Sequence, residues 1–209
     1  LENSCNTVFA SLGVELGPDR FYKYCRQFGF GEKLGVDFPG EAAGTVRKPG
    51  PKVPLVTWGN MGFGQGISMT PLQLLTAVSA IANEGKLMRP HFLKEIRRKD
   101  GSIVKKFEPE PIRQVVSAET ARKTSYMMRS VVKNGSGKRA EVPGYRVAGK
   151  TGTAQMVEGG RYSHTKMVSS FVGFAPEGAP EISALIVLWE PSGAFFGGII
   201  VAPIFARLA

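Results

Sequence analysis

The sequence predicts an α+β domain in which an antiparallel sheet is flanked by helices. Three observations carry that expectation. Apolar residues recur at helical spacing in the earlier part of the chain, most clearly at Leu74, Leu75, Val78, Ile81 and Ala82. Three strand-like runs, Tyr145–Met156, Lys166–Ala175 and Ile182–Trp189, crowd the last third. Strands and helices do not alternate in the manner of a parallel βαβ sheet.

Taken in order, Asn6–Glu15 is the first predicted helix, with Val8, Phe9 and Leu12 on one face. Pro18–Phe28 is the second: Phe21, Tyr22, Cys25 and Phe28 keep helical spacing, and Gly29 and Gly31 end it. Gly40–Pro54 is rich in Gly and Pro and is expected to be irregular. Gly62-Phe63-Gly64-Gln65-Gly66 reads as a turn; its spacing is not that of a dinucleotide fingerprint and no strand leads into it. The next helix is the clearest. Thr70 caps it, Pro71 takes its first position, Gln73 completes a capping box and Gly85 stops it. His91–Arg98 and Ser102–Phe107 then form a hairpin around Asp100-Gly101. Ser117 caps a helix running through Val132 and ended by Gly135, and a last helix is expected over Val201–Ala209.

Composition excludes several classes of function. The 209 residues carry 27 Lys and Arg against 17 Asp and Glu, a formal charge of +10, with 43% hydrophobic residues. Such a chain can bury a core and is not a disordered acidic segment. Cys5, Cys25, His91 and His164 are too few for a disulfide-dense scaffold or a Cys-rich zinc module. No apolar run reaches the roughly 18 residues of a membrane span. The positive charges are scattered, with only small clusters at Arg97-Arg98-Lys99 and Lys138-Arg139. No helix-turn-helix or basic–aromatic interleaving accompanies them, so nucleic acid is not the expected partner. His91 opens the hairpin and His164 lies in a predicted polar loop, Arg161–Thr165, neither with a ligand or carboxylate close in sequence. No Gly-x-Ser-x-Gly elbow supports a Ser-His-Asp triad. Cys5 and Cys25 read as small buried residues, with a disulfide that would distort the neighbouring motif as the alternative.

Two short motifs remain. Ser4-Cys5-Asn6 opens the first helix, and Lys150-Thr151-Gly152 lies on a predicted strand, followed by Thr153-Ala154-Gln155. A glycine at 152 lets an extended substrate lie against a strand edge; an ordinary strand with a glycine bulge is the other reading. Together the motifs resemble the second and third motifs of penicillin-binding transpeptidases and serine β-lactamases. Longer phrases, Gly64-Gln65-Gly66-Ile67-Ser68-Met69-Thr70-Pro71-Leu72-Gln73, Ala82-Asn83-Glu84-Gly85, Val147-Ala148-Gly149 before the Lys-Thr-Gly, and Phe171-Val172-Gly173-Phe174-Ala175-Pro176, resemble the class B penicillin-binding proteins. The resemblance extends through Gly197-Gly198 and Ala202-Pro203.

The resemblance implies a peptidoglycan DD-transpeptidase that works through a serine acyl-enzyme, with no cofactor and no metal. Its implied partners are stem peptides ending in D-Ala-D-Ala, β-lactams, and cell-wall synthesis proteins that bind outside this region. Ser4 would relay a proton, Asn6 would orient the substrate amide, and Lys150 would add positive charge beside Ser4. Thr151 would hydrogen-bond the substrate carboxylate, Gly152 would lie under the substrate, and the N–H of Thr153 would be one oxyanion donor. The family's nucleophilic Ser-x-x-Lys lies before Ser-x-Asn, yet only three residues precede Ser4. Residues 1–209 are therefore expected to be the C-terminal part of one transpeptidase domain, inactive alone, whose parent is anchored by an N-terminal segment at the extracytoplasmic face of a bacterial membrane. Three other Ser-x-x-Lys strings, at Ser102, Ser130 and Ser163, lack the helix N-terminus that would steady the serine's developing negative charge. Two further readings stand beside the transpeptidase: a β-lactamase or DD-carboxypeptidase, and a non-catalytic module that binds β-lactam or stem peptide.

Overall fold

The computed structural model describes residues 1–209. Helices α1 (Asn6–Leu16), α2 (Pro18–Gln27), α3 (Val56–Gly62) and α4 (Pro71–Ala82) come first. Two small ribbons follow, made by β1 (Lys86–Met88) with β4 (Pro111–Gln114) and by β2 (Glu95–Arg97) with β3 (Ile103–Lys106). Helix α5 (Ala118–Asn134) leads through a 3₁₀ turn at Lys138–Ala140 into the main sheet. That sheet is antiparallel, with β5 (Ala148–Glu158), β6 (Arg161–Ala175) and β7 (Ile182–Trp189) in the order β5-β6-β7. Two short helices, α6 (Gly197–Ile200) and α7 (Ala202–Leu208), close the chain.

Local chemistry explains the elements that the sequence predicts. Thr70 accepts the N–H of Gln73 at 3.1 Å and Gln73 accepts that of Thr70 at 2.9 Å, a complete capping box at α4. The same Gln73 is fully buried, and its amide donates to the carbonyls of Glu32 and Ala43 at 2.8 Å and of Gly29 at 3.1 Å. One capping residue thus ties the irregular segment after α2 to the helix. Ser117 caps α5 through the N–H of Thr120, and Gly135 ends it.

The sheet has an apolar layer on each face. On one, Phe171 packs against Phe205 of α7 with ring centroids 4.9 Å apart, among Val132, Val147, Val201 and Ala202. On the other, Phe174 and Ala148 meet Met128 of α5 and Val78 and Ile81 of α4. This follows from strand alternation, since neighbours on β6 point to opposite faces. The Phe171 ring lies across Gly149, where a Cβ would strike it, and at Gly173 a Cβ would strike the Ala148 carbonyl beside the same ring. Glycine before Lys150 therefore has a packing reason.

Several expectations need correction. His164 and Ser163 lie on β6, not in a polar loop, because β5 and β6 continue as a long hairpin paired out to Glu158 and Arg161. The β5–β6 register is continuous from Ala148 to Gln155, so there is no bulge at Gly152. Cys5 is exposed, Cys25 is buried, and both are free thiols, so only Cys25 fits the expectation of a small buried residue. The Asp100-Gly101 turn is not a two-residue loop. Arg98 N–H bonds to the Ser102 carbonyl around Lys99-Asp100-Gly101, with Gly101 at φ +86°, a three-residue loop with a left-handed last residue.

Candidate active site

Lys150 stands on β5, the outermost strand of its sheet, where backbone groups on one side have no partner strand. Its Nζ donates to Ser4 Oγ at 2.8 Å across 146 residues of sequence. It also donates to the Thr151 carbonyl at 2.9 Å and reaches Thr151 Oγ1 at 3.4 Å. No carboxylate pairs with this ammonium, and burial pulls its pKa from the usual 10.5 down to about 8. The lysine is therefore a cation near neutral pH that gives up its proton readily, in reach of a hydroxyl.

Ser4 is held in the left-handed region at φ +49°, uncommon for a non-glycine residue. Its N–H turns back to the Leu1 carbonyl at 3.2 Å. Cys5 takes the N-cap position of α1 without a capping bond, and Asn6 is the first helical residue. The Cys5 thiol contacts Thr7 Oγ1 at 3.1 Å. That hydroxyl, then the Val8 N–H, lowers the thiol's pKa. This turn is fixed from below: Ser130 Oγ donates to the Glu2 carboxylate, and Ser136 N–H donates to the Glu2 carbonyl at 3.0 Å.

The structure brings the predicted residues together at one cavity of about 610 Å³. Ser4, Asn6, Thr151 and Thr153 line it; Lys150 is outside the lining and is tied to it by its bond to Ser4. Gly152 lies on the same strand but not in the lining. A Cβ there would meet Ser170 Oγ, so a larger residue would make the Ser170 side chain rotate away. Thr153 Oγ1 accepts the Gly197 N–H at 3.2 Å, which anchors the start of α6 beside the strand. Gly197 in turn has no room for a Cβ against the carbonyls of Gly152 and Ser170.

Sequence reasoning did not single out Ser136, Phe196 or Ile199 as part of this cavity, and it noted Lys138-Arg139 only as a charge cluster. Ser136 touches Thr151 Oγ1 at 2.8 Å from 15 residues away, a contact with no local pattern to announce it. His91 and His164 are exposed and stand outside the cavity. A second cavity of about 590 Å³, between α4, β1 and the β6–β7 turn, contains none of the predicted site residues.

A strand edge bearing Lys-Thr-Gly, set against a Ser-x-Asn turn at a helix start, places the molecule in the penicillin-recognising class of α+β domains. More particularly, the chain belongs to the penicillin-binding protein transpeptidase domain family, whose model matches residues 1–209. It is 42% identical over 210 residues to stage V sporulation protein D of Bacillus subtilis, covering 100% of this chain and 32% of the relative. It is 38% identical over 217 residues to penicillin-binding protein PbpB of Mycobacterium tuberculosis, covering 99% of this chain and 32% of that protein. The chain therefore spans about a third of the length of these curated relatives. Among solved structures, apo penicillin-binding protein 3 of M. tuberculosis superposes with a TM-score of 0.89 at 37% identity, over 99% of this chain and 48% of that one. The same protein complexed with aztreonam gives 0.88 at 36% identity, with the same coverage of both chains.

Proposed function

We propose that this chain is the C-terminal part of a peptidoglycan DD-transpeptidase domain of class B type, acting on stem peptides outside a bacterial cytoplasmic membrane. The single observation that carries this reading is the Lys150–Ser4 bond of 2.8 Å at a cavity that Asn6, Thr151 and Thr153 also line. In the proposed reaction a serine of a preceding Ser-x-x-Lys segment gives its proton to the lysine of that segment and attacks the penultimate D-Ala carbonyl. The N–H of Thr153 and that of the nucleophilic serine stabilise the oxyanion. The C–N bond breaks as Ser4 passes its proton to the departing D-Ala amine and takes in its place the proton held by the lysine of Ser-x-x-Lys, while Lys150 keeps its charge beside Ser4. Thr151 and the Lys150 charge hold the terminal carboxylate, while Asn6 aligns the amide. An amine from a neighbouring stem then attacks the ester, and one of its protons passes to the serine oxygen as the C–O bond breaks, forming the cross-link and freeing the serine. A β-lactam, which mimics the D-Ala-D-Ala end, would acylate the same serine.

The serines of the other Ser-x-x-Lys strings are engaged elsewhere. Ser102 Oγ bonds Asp100 at 2.7 Å, Ser130 bonds Glu2, and Ser163 Oγ accepts the Lys166 N–H at 3.1 Å. None lines the cavity that holds Ser4. No helix here is long and apolar enough to cross a membrane; in this reading the anchor and the contacts with other cell-wall synthesis proteins belong to the rest of the parent.

The test is covalent labelling by a fluorescent penicillin, read by intact mass, on this chain and on the protein extended upstream through its Ser-x-x-Lys. Label on the extended protein alone is expected. Label on this chain would reassign the nucleophile, and peptide mapping would name it. No label on a folded extended protein would favour a module that binds without acylation.

A further inference from the structure

Ser136 lies in the turn between α5 and the 3₁₀ segment, outside both motifs, and it joins three parts of the site. Its N–H donates to the Glu2 carbonyl at 3.0 Å, two residues before Ser4. Its carbonyl lies against Gly198 of α6, where a Cβ would have no room. Its Oγ is 2.8 Å from Thr151 Oγ1 on β5. Gly135, just before it, leaves no room for a Cβ against the Glu2 backbone. The hydroxyl is thus carried by a backbone fixed on two sides.

The chemistry of the two hydroxyls sets the direction of their bond. A threonine hydroxyl has one proton to give and two acceptor positions. Lys150 Nζ approaches Thr151 Oγ1 at 3.4 Å and can only donate. Ser136 Oγ makes no other hydrogen bond. When Ser136 donates, both acceptor positions of Thr151 are occupied and its proton is free to point into the cavity. In the reverse polarity a lone pair of Thr151 would face the cavity instead. The lining favours the first arrangement: it includes the cations Lys138 and Arg139, neither in an ion pair, and no carboxylate. Arg139 is held there by its bond to the Ile199 carbonyl at 3.3 Å. Such a lining suits an anionic group, which takes hydrogen bonds from donors.

We propose that Ser136 is a positioning residue that turns the Thr151 hydroxyl into a donor for the anionic terminus of the ligand, a carboxylate in the transpeptidase reading on which this inference rests. Ser136 itself does not touch the reacting carbonyl.

The experiment is a double-mutant cycle on the upstream-extended protein, using saturable acylation by benzylpenicillin, which carries one carboxylate. Ser136→Ala is expected to raise the half-saturating concentration on the order of ten-fold, with the limiting acylation rate within about two-fold of the parent. Ser136→Thr, which keeps the hydroxyl, should restore affinity. Thr151→Val should weaken binding by at least as much, and adding Ser136→Ala to it should cost nothing more, since the residue acts through Thr151. Equal losses from Ser136→Ala in the presence and absence of the Thr151 hydroxyl would show a merely structural role and overturn the proposal. So would unchanged affinity in Ser136→Ala. If the parent itself is not acylated, the transpeptidase reading fails and the ligand assigned here falls with it, an outcome distinct from a parent that labels and a Ser136 variant that labels equally well.

Discussion

Lys150 shows how burial turns an ordinary residue into a reactive one. Its pKa is about 8 in the folded protein against an ordinary 10.5. Between those values the unfolded chain holds a proton that the folded chain has released, so stability rises with pH across that window. Below about pH 8 both states are protonated and the burial penalty is felt in full. Urea titrations at pH 7.5 and pH 9.5 should therefore show a larger gain in stability for the parent than for Lys150→Met. An equal gain in both would mean that Lys150 is not desolvated as described. Cys5 gives a second check at this scale. Its thiol is exposed with a lowered pKa, whereas burial pushes the Cys25 thiol up to about 11. Iodoacetamide at pH 8 should add one group quickly, at Cys5, and reach Cys25 only on unfolding. Rapid double alkylation of the folded protein would contradict the burial of Cys25.

At the scale of elements, α1 and α3 illustrate why one helix is legible and its partner is not. The two cross at glycines. A Cβ on Gly13 would meet the Trp58 carbonyl, and one on Gly62 would meet the Phe9 carbonyl. Gly59 sits beside Ala10 in the same crossing. Glycine lowers helix propensity, so Val56–Gly62 carries no helical signature of its own. The close approach that demands those glycines is a tertiary fact. Gly13→Ala and Gly62→Ala should each destabilise the protein by about 1–3 kcal/mol, because the clash is with backbone that cannot rotate away. Gly50→Ala, with nothing within 4 Å of the added carbon, is the control and should be close to neutral. Urea melts of the three variants decide it; a neutral Gly13→Ala would mean that the helices are not so tightly apposed. The crossing also matters for the site, since α1 carries Asn6 at its first turn and the Ser4 turn before it.

For the whole molecule, the relevant facts are an incompletely covered apolar surface and a strong positive charge. Val8, Leu12 and Leu16 recur every four residues along α1 and are exposed, Val8 at 54% and Leu12 at 50%. Tyr126 and Met127 on α5 add to the exposed apolar surface, and Val8 and both α5 residues border one shallow cavity with Cys5. Exposed apolar surface of this kind binds hydrophobic dyes. The proposed parent would cover part of it with the segment that carries the nucleophile. The 209-residue chain should therefore enhance the fluorescence of anilinonaphthalene sulfonate more strongly than the upstream-extended protein does, at equal concentration and ionic strength. Equal enhancement would argue that the preceding segment packs elsewhere. The net charge of +10 bears on partners and not on the fold, since it attracts anionic polymers whatever the chain topology.

What the sequence by itself determined is the part of this protein written in local periodicity and punctuation. The capping box of α4, the Ser117 cap and Gly135 end of α5 and the run of β7 are all readable because each signal lies within a few residues of its effect. The site motifs were legible as strings, and Ser4, Asn6, Thr151 and Thr153 do line one cavity. Tertiary structure alone decided the rest. The Lys150–Ser4 bond, the pairing of β1 with β4, the reach of Ser136 to Thr151 and the α1–α3 glycine crossing join residues far apart in the chain. Hydrogen bonding and steric exclusion act over a few ångströms in space, so they leave no fixed spacing in sequence. The same holds for the lowered pKa of Lys150, which comes from burial created when the sheet edge, the Ser4 turn and the surrounding elements close on one another.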